Sequence, residues 1–182
     1  MLFRSVSGTS PAGANQPGAE APIAFERFSE RLRRALVIAD YEARFLVTGT
    51  IEAGHLLFGI VQEDTEEMSE LSQGKLTPQG VRRRLREEWS SRLQPGPSDE
   101  TEMRLSEEAA RLLRRTDEEA RSAGSLTSGP LHLVLATLRD GASLAAKLLA
   151  EAGMTVEVVL ARSSRPAPGA ANGAVGGEPL GR

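Results

Sequence analysis

Apolar residues recur every three or four positions through the first third of the chain: Phe28, Leu32, Ala35, Leu36, Ala39 and Ala43. On a helix that spacing makes one apolar stripe, and Arg33, Arg34, Asp40 and Glu42 fall between the stripe positions on a charged face. The pattern predicts a helix over residues 29–46, with Ser29 as its N-cap, because a serine hydroxyl there can accept an otherwise unpaired backbone N–H. It returns at Leu105, Ala109, Leu112, Leu113, Thr116 and Ala120, with Ser106 in the capping position. Two other stretches are apolar nearly all round, His55-Leu56-Leu57-Phe58-Gly59-Ile60-Val61 and His132-Leu133-Val134-Leu135-Ala136-Thr137-Leu138. A helix of that kind is buried, so helices over 51–62 and 129–139, the latter with Pro130 in its first turn, belong at the centre of their halves.

Shorter helices are expected over 65–72, from Thr77-Pro78 to about residue 93, over 142–152 with Gly153 closing it, and from Thr155 through Val156, Val159 and Leu160. No stretch has the alternation of a half-buried strand. Each helix is too short to be stable alone, so packing must hold them.

These elements come in two copies. Residues 28–63 align without a gap on residues 105–140, at an offset of 77, and 11 of the 36 pairs are identical. Both copies open with Ser-Glu, continue through Asp-x-Glu-Ala-Arg (Asp40 to Arg44, Asp117 to Arg121) and reach His-Leu eleven residues after the arginine. The chain's two histidines, His55 and His132, both fall on the offset. Repetition of this kind predicts an all-α fold of two tandem four-helix repeats related by a pseudo-twofold. Repeat one spans 25–93 and repeat two 102–163, joined by a linker at 94–101 that contains Gln94-Pro95-Gly96-Pro97-Ser98-Asp99. Residues 1–24 and 164–182, rich in Gly, Ala, Pro and Ser, carry too few large apolar residues to offset their ordering entropy and read as disordered tails.

Composition narrows the function. The chain has 182 residues, a net charge of −3, 40% hydrophobic residues and no cysteine, so disulfides and thiolate metal sites are excluded. No apolar run approaches the roughly 20 residues of a membrane span, and the expected location is cytoplasmic. Two imidazoles without cysteines make a poor zinc site, no nucleophile recurs beside them, and a structural role is expected for both. Gly74-Lys75-Leu76-Thr77 lacks the earlier glycine of a phosphate loop (Ser69 is there) and has Leu76 where a magnesium-binding hydroxyl is needed. The expectation is a non-enzyme with no catalytic residue, cofactor or metal. The run Arg82-Arg83-Arg84-Leu85-Arg86 leaves a nucleic-acid-binding or transcription-associated helix as the alternative, although Glu87-Glu88 follow at once and Val81, Leu85 and Trp89 give the helix an ordinary apolar stripe with the arginines on its solvent side.

The ordered set Phe28-Ser29-Glu30-Arg31, Glu42-Ala43-Arg44 and His55-Leu56-Leu57-Phe58-Gly59-Ile60, repeated as Leu105-Ser106, Glu119-Ala120-Arg121 and His132-Leu133-Val134-Leu135, resembles the Clp repeat domain at the N-terminus of the Clp ATPases. The run Gly141 to Gly153 resembles that family's closing helix. The resemblance implies a double Clp-N fold and a protein- or peptide-binding module that serves ATP-dependent proteolysis as adaptor, modulator or substrate receptor. It also implies protein or peptide substrates, with a Clp ATPase or protease as a further partner. The chain would be a free-standing domain, a fragment of a longer protein, or a partner of the machine. In some members a glutamate of Gly-Thr-Glu-His helps bind phosphorylated arginine, and Gly54 and Leu131 stand at that position here. The accompanying hydroxyl is matched by Ser29 and Ser106. These two serines are the candidate binding residues, at helix starts where exposed N–H groups favour an anion.

Overall fold

The computed structural model describes residues 21–46, 48–90 and 104–163. After a 3-10 turn at Phe25–Arg27, the first half holds α1 (Glu30–Phe45), α2 (Ala53–Glu63), α3 (Thr65–Leu71) and α4 (Pro78–Trp89). The second holds α5 (Glu107–Ser122), α6 (Pro130–Asp140), α7 (Leu144–Glu151) and α8 (Val156–Ser163). This is the expected all-α pair of four-helix repeats. The linker 94–101, residues 1–20 of the expected N-terminal tail and the C-terminal tail 164–182 lie outside the described residues. Ile23, just before the 3-10 turn, packs partly buried against the core.

Helices α2, α6 and α7 begin one or two residues later than expected, for physical reasons. Ile51 was expected inside a helix. Instead its backbone pairs with the opposite half, and α2 begins at Ala53. Gly129 is the N-cap of α6 rather than its first residue. In α7 the cap is Ser143, whose hydroxyl accepts from the Ala146 N–H at 3.0 Å, so Ala142 lies outside the helix. At the other end α4 stops at Trp89, short of residue 93.

In α2 every residue from Ala53 to Val61 is buried, and α6 buries Pro130 and Leu133 to Thr137. Both lie at the centre, as their all-round apolar character requires. Helix α2 touches α1, α3, α4, α5 and α7, and α6 touches α1, α5, α7 and α8. Gly59 permits the tight α1–α2 contact, since a Cβ there would fall 2.1 Å from the Ala35 carbonyl oxygen. Thr116 and Thr137, buried among apolar neighbours, donate to the carbonyls of Leu112 and Leu133 at 2.7 and 2.8 Å, so neither hydroxyl is left unsatisfied.

The halves are tied crosswise. Ser29 N–H donates to the Ser128 carbonyl, and Ser128 N–H donates to the Arg27 carbonyl, both at 2.8 Å. At the related place Ser106 N–H donates to the Ile51 carbonyl at 3.0 Å, and Ile51 N–H to the Arg104 carbonyl at 2.8 Å. The repeat offset converts one set of bonds into the other. Each half's first helix is therefore entered by backbone paired to the residues before the other half's second helix. Ion pairs also follow the repeat: Arg34 with Glu63 becomes Arg111 with Asp140, and Asp40 with Arg44 becomes Asp117 with Arg121.

Candidate binding site at the helix starts

The cross-pairing brings helix N-termini together. In the first mouth the start of α1 lies beside the start of α6. Ser29 caps α1, its Oγ accepting from Leu32 N–H at 3.2 Å, and a Cβ on Gly129 would lie 3.7 Å from that Oγ. In the second mouth Ser106 caps α5, accepting from Ala109 N–H at 3.1 Å, and its own N–H is bonded to Ile51, just ahead of α2. Both serines are half-buried. Helix geometry leaves the N–H groups of Glu30, Arg31, Glu107 and Glu108 without intrahelical acceptors, so partial positive charge collects at each start.

Both histidines act from the third helical position. His55 Nδ1 accepts the Glu52 N–H, and His132 Nδ1 accepts the Gly129 N–H, each at 2.9 Å. With Nδ1 accepting, the ring proton sits on Nε2, which in His55 lies 3.5 Å from the Thr48 hydroxyl. Burial pushes the His55 ring down to about 3 and lowers His132 as well, so both are neutral at pH 7. These are the structural roles expected of them. Among the described residues no group of His, Cys, Asp and Glu could hold a metal ion.

The mouths differ in charge. Where the first has Gly129 and Arg31, the second has Glu52 and Glu108 at the offset positions. Burial raises the Glu108 carboxyl, and the nearby Glu52 carboxylate raises it further. Neither glutamate is among the candidate residues the sequence singled out. Comparing the copies residue by residue for charge, rather than identity, would have found both.

The chain matches the family described as the Clp repeat (R) N-terminal domain over residues 27–152. The chain belongs to that family. Domains of this family are the substrate- and adaptor-binding modules of Clp ATPases. Over 148 residues the chain is 33% identical to the chloroplastic chaperone protein ClpD1 of Oryza sativa, covering 76% of this chain. Over 136 residues it is 26% identical to ClpC/MecB, the negative regulator of genetic competence of Bacillus subtilis, covering 72%. It spans 16% of the length of each of these relatives. Among solved structures it resembles the ClpD N-terminal domain of Arabidopsis thaliana (TM-score 0.63, 26% identity, 77% of this chain and 96% of that one). The Hsp104 N-terminal domain of Candida albicans shares the fold (TM-score 0.57, 18% identity, 75% of this chain and 88% of that one).

As a Clp repeat domain the chain departs from the resemblance at Gly54. A Cβ there would meet Leu85 Cδ2 at 2.5 Å and Trp89 Cη2 at 3.1 Å, so α4 occupies the space a glutamate side chain would need. Trp89 also stacks on His55, ring centroids 4.4 Å apart. Leu131, the related position, is half-buried. Two of the four arginines in the run reach across to other elements. Arg82, expected on the solvent side, turns back onto buried Glu42 with two 2.6 Å bonds and lies 4.6 Å from the Phe58 ring centroid. Arg84 reaches Glu151 in α7 at 3.2 Å. The Gly74 to Thr77 stretch is the α3–α4 turn: Leu76 is buried and Thr77 caps α4 through Gly80 N–H at 3.1 Å.

Proposed function

We propose that this Clp repeat domain binds protein or peptide segments in ATP-dependent proteolysis or chaperoning, as an adaptor, modulator or substrate receptor, with no catalysis of its own. The observation that carries this reading is the paired mouth: two serine-capped helix starts, cross-linked through backbone bonds to the residues just before the second helix of the opposite half. Such starts offer N–H donors to a polypeptide's carbonyls or carboxylates. Around Ser29 the first mouth favours a neutral or anionic group. Around Ser106 the second carries Glu52 and Glu108 and favours a cationic side chain of a client. Phosphoarginine is not the ligand expected at α2, because Gly54 is walled by Leu85 and Trp89. A Clp-type ATPase is the natural partner, since the relatives carry those names.

The test is affinity capture from the native cell extract with the full chain, read by mass spectrometry against a Ser29→Arg, Ser106→Arg double variant. The expected result is enrichment of a Clp ATPase, a protease or defined clients that the variant fails to retain. Capture that the variant leaves unchanged, or that nuclease abolishes, contradicts the reading.

A further inference from the structure

The solvent face of α1 carries Val37, Tyr41 and Phe45, which are 63%, 76% and 57% exposed. At spacings of four they form a stripe about 12 Å long. The offset places Arg114, Glu118 and Ser122 at the related positions of α5, so the repeat itself requires no apolar residue there. The rim is basic. Arg86 lies 5.3 Å and Arg82 5.6 Å from the Phe45 ring centroid. No carboxylate lies within ion-pair distance of Arg86 among the described residues, whereas Arg82 is held by Glu42 and Arg83 only grazes Glu87 at 4.0 Å. Of the other charges on α1, Arg33 donates to the Glu26 carbonyl, Arg34 is held by Glu30 and Glu63, and Asp40 pairs with Arg44.

We infer that the Val37–Tyr41–Phe45 stripe, with Arg86 beside it, is a docking surface for an amphipathic helical segment of a partner protein whose apolar seam is flanked by acidic residues. The i, i+4, i+8 spacing matches the ridge of one helix lying along another. Positive charge at the Phe45 end selects acidic flanks and repels basic ones. The patch measures on the order of a few hundred Å², below the roughly 800 Å² per partner of a stable domain interface, which suits a short segment rather than a second copy of the chain. This surface is separate from the mouths at Ser29 and Ser106, and its failure would leave them untouched.

Tyr41 is the only tyrosine, so full-length chain grown with 3-fluorotyrosine reports on the stripe through a single fluorine resonance. The probes are a 16-residue helical peptide with leucines at i, i+4 and i+8 flanked by glutamates, its lysine-flanked isomer, and a single-stranded oligonucleotide. The expected result is a saturable shift with the glutamate peptide, at least tenfold tighter than with the lysine isomer. Arg86→Glu should reverse that preference, and Val37→Arg with Tyr41→Glu, read by peptide anisotropy, should abolish binding. Ser29→Arg with Ser106→Arg should leave it unchanged. Equal binding of the two peptides, binding by neither, preference for the oligonucleotide, or a chain dimer that the Tyr41→Glu substitution dissolves would each overturn the inference.

Discussion

All seven aromatic residues of the chain lie before residue 90, so the second half has an aliphatic core while the first is built partly on rings. In the first half Phe58 is fully buried, Arg82 rests on it, and Trp89 closes over Gly54 and His55. In the second half the largest fully buried side chains are the leucines Leu112, Leu113, Leu133, Leu135 and Leu149. His55 is accordingly buried and His132 half-exposed, although both perform the same bond to the helix start. The difference separates what the motif requires from what each copy added. Caps, crosswise backbone bonds and the two repeated ion pairs survive in both copies. The cover over the central helix does not.

The comparison is broken most severely at the α1–α2 contact. Gly59→Val places side chain against the Ala35 carbonyl and should cost on the order of 4 kcal/mol or abolish folding. The related Ala136 already accommodates a methyl, and Ala136→Gly should cost only about 1 kcal/mol, as read by urea unfolding of both variants. Trp89→Ala removes the cover of the first half and should cost about 3 kcal/mol. If the second half truly stands without such a ring, Trp89→Ala should leave the amide-exchange protection of α6 above that of α2. Arg82→Leu strands the buried Glu42 carboxylate and should cost about 2 kcal/mol, less than a fully buried pair because the arginine is partly exposed. Arg139→Leu, which breaks the more exposed pair with Glu119, should cost under about 1 kcal/mol.

A pH dependence gives a separate handle on the first half. The folded His55 ring titrates at about 3, well below an unfolded histidine near 6.5, so the unfolded chain takes up the proton first as pH falls. Its contribution is therefore complete above pH ~6.5 and is lost downward from there by at most about 1.4 kcal/mol per pH unit. Asp64 works the other way: burial raises it to about 6, so acidification between ~6 and ~4 favours the folded state. His55→Asn isolates the first effect. The stability difference between the chain and this variant should shrink as pH drops from 6.5 to 4. A constant difference would refute the buried neutral ring.

Most of the helix plan was legible in the chain because it rests on local physics. The stripes of α1 and α5, the serine caps and the all-round apolar α2 and α6 are each written within a dozen residues. The family resemblance rested on the same repeated pieces. The crosswise bridges of Phe28 with Ser128 and Ile51 with Leu105 were not legible, because an isolated bridge has no alternation to betray it. Glu52 and Glu108 become neighbours only through those bridges. The Arg82–Glu42 pair was not legible because helical phase alone does not reveal a buried carboxylate forty residues away. Trp89 was read as part of a stripe, and its cover over His55 depends on Gly54 having no side chain.

The central claim is that the serine-capped mouths contact polypeptide. The most direct measurement is an amide NMR titration of the full ¹⁵N-labelled chain with an unfolded protein such as reduced, carboxymethylated lactalbumin. The account predicts saturable shifts concentrated at Ser29 to Leu32, Ser106 to Ala109 and Leu131 to His132, absent in the Ser29→Arg, Ser106→Arg variant. Binding that leaves those amides unmoved, or no binding of unfolded protein, would contradict it.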